Sequence, residues 1–333
     1  MPVVWSDQCR LHEPDSEIWI GLRTPATEVP ARVDAILDAL TGARLVPAEL
    51  HSDEGLLAVH DRALLDYLAG AWAEWEAAGL EQDRVVPYVF AHEALGVRSA
   101  PAAVWAKPGL FAYDTMTLVG PGTWEAARAA ADVALTAVEL VRAGEPAAYA
   151  CCRPPGHHAT RRGYGGSCYL NNAAVAAAAL DGRVAVIDLD AHHGNGTQEI
   201  FWDDHDVLVG SVHVDPGAGW FPHFLGFPDE TGGGANRNLV LAPGAGDAEW
   251  LEAVGELVEW AASADALVVS LGVDAAAEDP ESPLQVTPGG FREAGRLIGS
   301  LGRPTVIVQE GGYHLPTLGT LVRETLLGIE AAR

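Results

Sequence analysis

Short apolar runs rich in β-branched residues recur along the chain: VVW at 3–5, YACC at 149–152, VAVID at 184–188, VLVGSVH at 207–213, ALVVSLG at 266–272 and TVIVQE at 305–310. None alternates cleanly between apolar and polar positions, so each is expected to be a strand covered on both faces. Between them lie stretches of helical period, clearest at 61–78, 123–143, 247–262 and 315–331. PGTWEAA opens the second of these and Asp247 the third, both ordinary helix starts. Strands alternating with helices predict an α/β fold, a parallel sheet with helices on both sides. No repeat, low-complexity tract or long linker interrupts the pattern, so residues 1–333 are read as a single domain.

The polar chemistry sits between these elements. RPPGHHATRRGYGGSCYLNN, DLDAHHGNG, VDPGAGWFPHF, LGVDAAAEDPES and QEGGYHLP each follow an expected strand directly. Ligands of open α/β sheets bind beyond the carboxyl ends of the strands. The glycine-rich, acidic and histidine-bearing loops are therefore expected to converge on one rim.

VIDLDAHHGNG, residues 186–196, crowds Asp188, Asp190, His192 and His193 behind an apolar run. Buried carboxylates are costly unless paired or bound to a cation. In extended backbone the side chains of Asp188, Asp190 and His192 share one side, and His193 faces away. A catalytic zinc takes three protein ligands and leaves a position open. Asp190 and His192 supply two, and Asp274, ending a strongly apolar strand with no local cation, is the best candidate for the third. The plainer alternative is that Asp188 and Asp190 cap the next helix or pair with arginine. An Asp₂His set also suits ferrous iron.

Composition narrows the partners. Hydrophobic residues make up 49% of the chain and charged residues 20%, as expected of a soluble protein with a large core. Acidic residues outnumber basic ones 46 to 20, a formal charge of −26 that repels nucleic acid and anionic membranes and draws in small cations. The N-terminus shows no secretory pattern, and Arg128, Asp132 and Glu139 interrupt the alanine-rich 125–141 stretch that might otherwise span a membrane. Cys9, Cys151, Cys152 and Cys168 lack C-x-x-C spacing and read as reduced thiols of a cytoplasmic protein.

The set RPPGHHA, GYGGSCYLNNAAVAA, DLDAHHGNGTQEIF, SVH, LGVDA and EGGY, in this order between about residues 113 and 314, resembles the histone deacetylase and acetylpolyamine amidohydrolase family. The resemblance implies a three-layer, arginase-like α/β fold with a mostly parallel sheet of roughly eight strands. It implies Asp190, His192 and Asp274 as zinc ligands, His157 and His158 as the catalytic histidine pair, and Tyr313 as the catalytic tyrosine. Asp188 would bond the first histidine and join a potassium site with Ser211 and the backbone oxygens of Asp190, His192 and Val212. Asn195 would stand behind the second histidine, Asp114 would orient substrate at the rim, and Gly166 and Phe221 would wall the tunnel.

The residues support the same chemistry on their own terms. A histidine near neutral pKa can take a water proton and protonate a departing amine, the role given to His158. Tyr313 would donate to the oxyanion. The chain departs from the family at Ser167, where an aromatic tunnel residue is usual; Tyr164 or Trp220 is expected to fill the gap. A two-manganese ureohydrolase needs a carboxylate two residues after His192, where this chain has Gly194. A catalytically dead binding module would have lost the tyrosine or a ligand, and none is lost.

The reading is thus a metal-dependent deacetylase of small cationic acetylated amines, foremost acetylated polyamines. A protein acetyl-lysine deacetylase is the alternative. Glu281, seven residues after Asp274 on a loop anchored by that ligand, is expected at the mouth; the resemblance to polyamine-preferring relatives implies a gatekeeper there for a distant ammonium group, and GFPDETGGG at 226–234 also looks like the polyamine branch. A homodimer or higher homo-oligomer is compatible with the sequence.

Overall fold

The structure, a computed structural model, describes residues 1–96 and 99–333. Its strands are β1 (Pro2–Trp5), β2 (Ser16–Trp19), β3 (Leu22–Pro25), β4 (Arg44–Pro47), β5 (Ala147–Ala150), β6 (Val184–Asp188), β7 (Val207–Val214), β8 (Asn236–Leu241), β9 (Ala266–Leu271) and β10 (Thr305–Gln309). The helices are α1 (Ala31–Ala39), α2 (Glu54–Val59), α3 (Arg62–Ala77), α4 (Thr123–Arg142), α5 (Asn172–Ala179), α6 (Asn195–Ile200), α7 (Asp247–Ala261), α8 (Pro288–Gly299) and α9 (Leu315–Ala331).

Eight strands form one sheet in the order β4-β1-β5-β10-β9-β6-β7-β8, parallel throughout. Alternate residues of each inner strand feed opposite cores. Val184 and Val186 of β6 pack with α3, α4 and α5, whereas Ala185 and Ile187 pack with α7, α8 and α9. Burial on both faces explains why these strands read as unbroken apolar runs. The three-layer α/β/α arrangement is the one the sequence implies.

Six strands of this sheet correspond to the six apolar runs. The other two, β4 and β8, are the sheet edges, with RLVP partly or fully exposed and NRNLVL buried at only half its positions. An edge strand covered on fewer sides carries no continuous apolar signal. A separate hairpin, β2–β3, turns through Ile20 and Gly21, both at positive φ. Its residues Glu17, Trp19, Thr24 and Pro25 border the cavity at the sheet's carboxyl rim. Among the described residues no helix is long and apolar enough to cross a membrane.

Candidate active site

Strands β5, β10, β9 and β6 are consecutive neighbours, and the loops beyond their carboxyl ends meet. The loop after β5 carries His157 and His158, that after β10 carries Tyr313, that after β9 carries Asp274, and that after β6 carries Asp190 and His192. Residues from four distant stretches of chain thus share one rim, as the loop pattern predicts.

One ligand atom each from Asp190, His192 and Asp274 lies within 4.8 Å of the others. The His192 Nδ1 stands 3.2 Å from an Asp190 oxygen and 3.1 Å from an Asp274 oxygen. Backbone donors fix the carboxylates: Gly311 N–H donates to Asp190 (2.8 Å) and Ala191 N–H to Asp274 (2.7 Å). Glycines make the room. A Cβ on Gly311 would stand 2.5 Å from an oxygen of each aspartate, and one on Gly272 would stand 2.0 Å from Asp190. No lysine or arginine pairs with Asp190 or Asp274 among the described residues. Burial opposes charge on all three groups. Asp190, next to His157 and His192, is still held below the usual carboxylate range, while burial and Asp190 push Asp274 above it. Two buried carboxylates and an imidazole in a cradle shaped by glycine fit a divalent cation; capping of α6 or pairing with arginine does not describe them.

The two histidines beside this cluster are set apart by what stands behind each. His157 Nδ1 is 2.9 Å from Asp188, and His158 Nδ1 is 2.7 Å from the Asn195 side-chain oxygen. Burial disfavours a cation on His157, yet Asp190 and Asp188 outweigh it and hold its pKa up at about 10. Burial and then the charge on His157 hold His158 well below the usual imidazole value. The two rings are thus pushed in opposite directions, His157 toward the cation and His158 toward the neutral form. Gly194 lets this happen, because a Cβ there would stand 2.2 Å from Asp188. The same contact leaves no room for the carboxylate a second manganese would need.

A cavity of about 490 Å³ leads to these groups, with His158, His192 and Tyr313 at its floor. Phe221 packs edge-on against the His158 ring at 4.8 Å. A Cβ on Gly166 would meet both rings at under 3 Å, so that wall is backbone. Ser167, at φ 62°, continues it. Of the two aromatics expected to replace the missing tunnel residue, Trp220 lines the cavity. Tyr164 instead is buried, stacked with Tyr67 and Tyr169.

Glu281 lines the cavity as expected. Asp114 does not, and its expected role needs correction. Its two oxygens already accept from Met116 N–H, Thr117 N–H, Gly166 N–H and the Thr117 hydroxyl. That uses the four lone-pair positions of a carboxylate. Asp114 holds the Gly166–Ser167 wall in place and has no acceptor left for substrate.

Three contributors were not anticipated. Glu17 of β2 lines the mouth with Glu281, and burial, then Glu281 and Asp114, push it up to about 7. The Tyr113 hydroxyl donates to the His158 carbonyl at 2.7 Å. Asp279 accepts from the backbone of Tyr313. Asp279 sits in the LGVDAAAEDPES loop and Tyr113 beside Asp114, but neither carries an expectation of its own, and Glu17 comes from a hairpin far from the other site residues in sequence. Ser211 stands opposite Asp188 in the β6–β7 register, and its hydroxyl meets His213 Nδ1 at 2.8 Å. His193 turns away and bonds Gln198.

An α/β sheet with this rim defines a hydrolytic deacetylase, and comparison with known proteins agrees. A model of the histone deacetylase domain matches residues 26–329, and the chain belongs to that family. It is 42% identical to acetylpolyamine amidohydrolase 1 of Pseudomonas aeruginosa over 99% of both chains. It is 43% identical to the acetylpolyamine amidohydrolase of Burkholderia pseudomallei over 97% of both. A crystal structure of acetylpolyamine aminohydrolase from Burkholderia pseudomallei superposes with a TM-score of 0.94 at 40% identity, covering 100% of this chain and 99% of that one. The HD domain of HDA15 superposes at 0.80 with 27% identity, covering 99% and 89%.

Proposed function

We propose that this enzyme removes the acetyl group from acetylated polyamines, releasing acetate and a free amine, with one zinc ion on Asp190, His192 and Asp274. The observation that carries the substrate class is the cavity lining. It holds Glu17 and Glu281 and, among the described residues, no lysine or arginine. An acidic mouth above this floor suits a substrate with an ammonium group some distance from its amide. The names of the full-length relatives support the same reading.

When bound, the divalent ion would lower the pKa of water and polarise the acetyl carbonyl. Ferrous iron suits the same ligands. Neutral His158, steadied by Asn195, takes the proton of the attacking water and returns it to the departing amine. His157, kept cationic by Asp188, steadies the developing negative charge without moving a proton. Tyr313 donates its hydroxyl hydrogen to the oxyanion. Phe221 packs against His158, and Gly166 lets the linker pass close to both. A structural potassium ion would rest on Asp188, Ser211 and the backbone oxygens of Asp190, His192 and Val212. The acidic, thiol-bearing chain is read as cytoplasmic.

The test is kcat/KM for acetylated polyamines against acetyl-lysine peptides of equal acetyl content. The reading expects the polyamine to be preferred. Preference for the peptides would replace it with a protein deacetylase.

A further inference from the structure

Tyr313 follows Gly311 and Gly312, the latter at φ 122°. Two glycines leave a backbone with more freedom than any other pair, so something must fix the tyrosine. Two buried groups of opposite charge grip this segment. From one side Arg32 donates to the carbonyls of Gly312 and Glu310, both at 2.6 Å, and its guanidinium carbon lies 4.7 Å from the Tyr313 ring centre. Glu28 balances that charge at 2.8 Å. From the other side Asp279, 6% exposed, accepts Tyr313 N–H at 2.6 Å and His314 N–H at 3.1 Å on one oxygen. Its second oxygen accepts Glu281 N–H at 3.1 Å.

We propose that Asp279 is a positioning residue that sets the oxyanion donor Tyr313 and the mouth carboxylate Glu281 at a fixed separation. The inference rests on the deacetylase reading of the site. Asp279 does not line the cavity, and its hydrogen-bond partners are backbone N–H groups. It lies five residues beyond the ligand Asp274, so one loop ties the cation cluster, the tyrosine and the acidic mouth into a single frame. The distance from scissile amide to distal ammonium that the enzyme measures is then set through this carboxylate.

A double-mutant cycle on the metal-loaded full chain tests it. The substrates are an acetylated polyamine and a neutral N-acetyl alkylamine. Asp279→Ala removes every acceptor, and Asp279→Asn keeps the shape with one acceptor oxygen. Asp279→Ala should lower kcat on both substrates about 10- to 100-fold, up to the loss expected of Tyr313→Phe. Asp279→Asn should recover part of that loss. Made in the Tyr313→Phe background, either change should alter kcat less than about twofold. KM should rise for the polyamine alone, and not further in Glu281→Leu. Losses that multiply across the cycle would overturn the proposal, as would wild-type kcat in Asp279→Ala. Should Asp279→Ala fail to melt cooperatively, the Asp279→Asn arm decides by the same rule. No effect, or an effect undiminished by Tyr313→Phe, sinks the idea. Near-wild-type kcat in Tyr313→Phe itself is a different result, one that removes the underlying mechanism and this proposal with it.

Discussion

Replacing the two mouth glutamates should separate cationic from neutral substrates. Glu281→Leu and Glu17→Gln each delete one carboxylate that an ammonium group would meet. An exposed ion pair is worth ~0.2–1 kcal/mol and a hydrogen bond to a charged group ~1.5–3 kcal/mol. Both glutamates are half-buried in the cavity lining, so roughly 1–2 kcal/mol apiece is expected. That is about 5- to 30-fold in kcat/KM for an acetylated polyamine and little change for a neutral N-acetyl alkylamine.

Glu17 adds a pH signature with a definite sign. Burial, then Glu281 and Asp114, raise it to about 7, so it is largely protonated below that pH and charged above it. A polyamine amine stays cationic through this window, as a lysine does. KM for the polyamine should therefore fall as pH rises through about 7. Glu17→Gln should flatten that limb. Glu281→Leu, by removing a neighbouring carboxylate, should shift it to lower pH. Steady-state kinetics on both substrates from pH 6 to 8.5 reads all of this. Equal losses on the two substrates, or a limb that survives Glu17→Gln, would refute the electrostatic argument.

Asp190→Ala and Asp274→Ala should each lose bound metal and activity together, checked by elemental analysis against one divalent ion per chain; two manganese ions with urea release would defeat the assignment. Tyr313→Phe should keep its metal and KM while kcat falls ~100-fold, because only the transition state loses a donor. Gly311→Ala places a Cβ 2.5 Å from both aspartates, so metal retention on dialysis should drop sharply while the melting temperature falls only modestly.

What the sequence made legible follows from locality. Asp188, Asp190 and His192 share a side because extended backbone has a period of two, and no tertiary knowledge is needed to see it. Asp274 was inferable because it ends an apolar strand with no cation beside it. The inner strands announced themselves through burial on both faces, whereas β4 and β8 did not, having one neighbour each. Glu17 was hidden for another reason. It lies in SEIW on a two-stranded hairpin whose docking over the site is a tertiary event. The resemblance alone puts Asp114 at the substrate, and only its four donors reveal that its capacity is spent. Asp279 gives no signal in the sequence because its partners are backbone N–H groups, one of which belongs to the motif residue Tyr313.

The rim also has an electrostatic logic that no single motif carries. Asp188, Asp190, Asp274 and Glu310 are all essentially fully buried within one set of contacts. Glu310 accepts Gly156 N–H at 2.6 Å and His157 N–H at 3.1 Å, so it braces the histidine loop from below. These buried carboxylates share the rim with His157 and His192, and against burial they hold both imidazoles toward the cationic form. A divalent ion on Asp190, His192 and Asp274 would replace the His192 proton in offsetting the two aspartates, His192 then serving as a neutral ligand. Charge compensation and donor geometry thus bear on the same three residues, Asp190, His192 and Asp274. His158 is set apart from His157 and His192 by its Nδ1 partner, which is the amide of Asn195 and not a carboxylate.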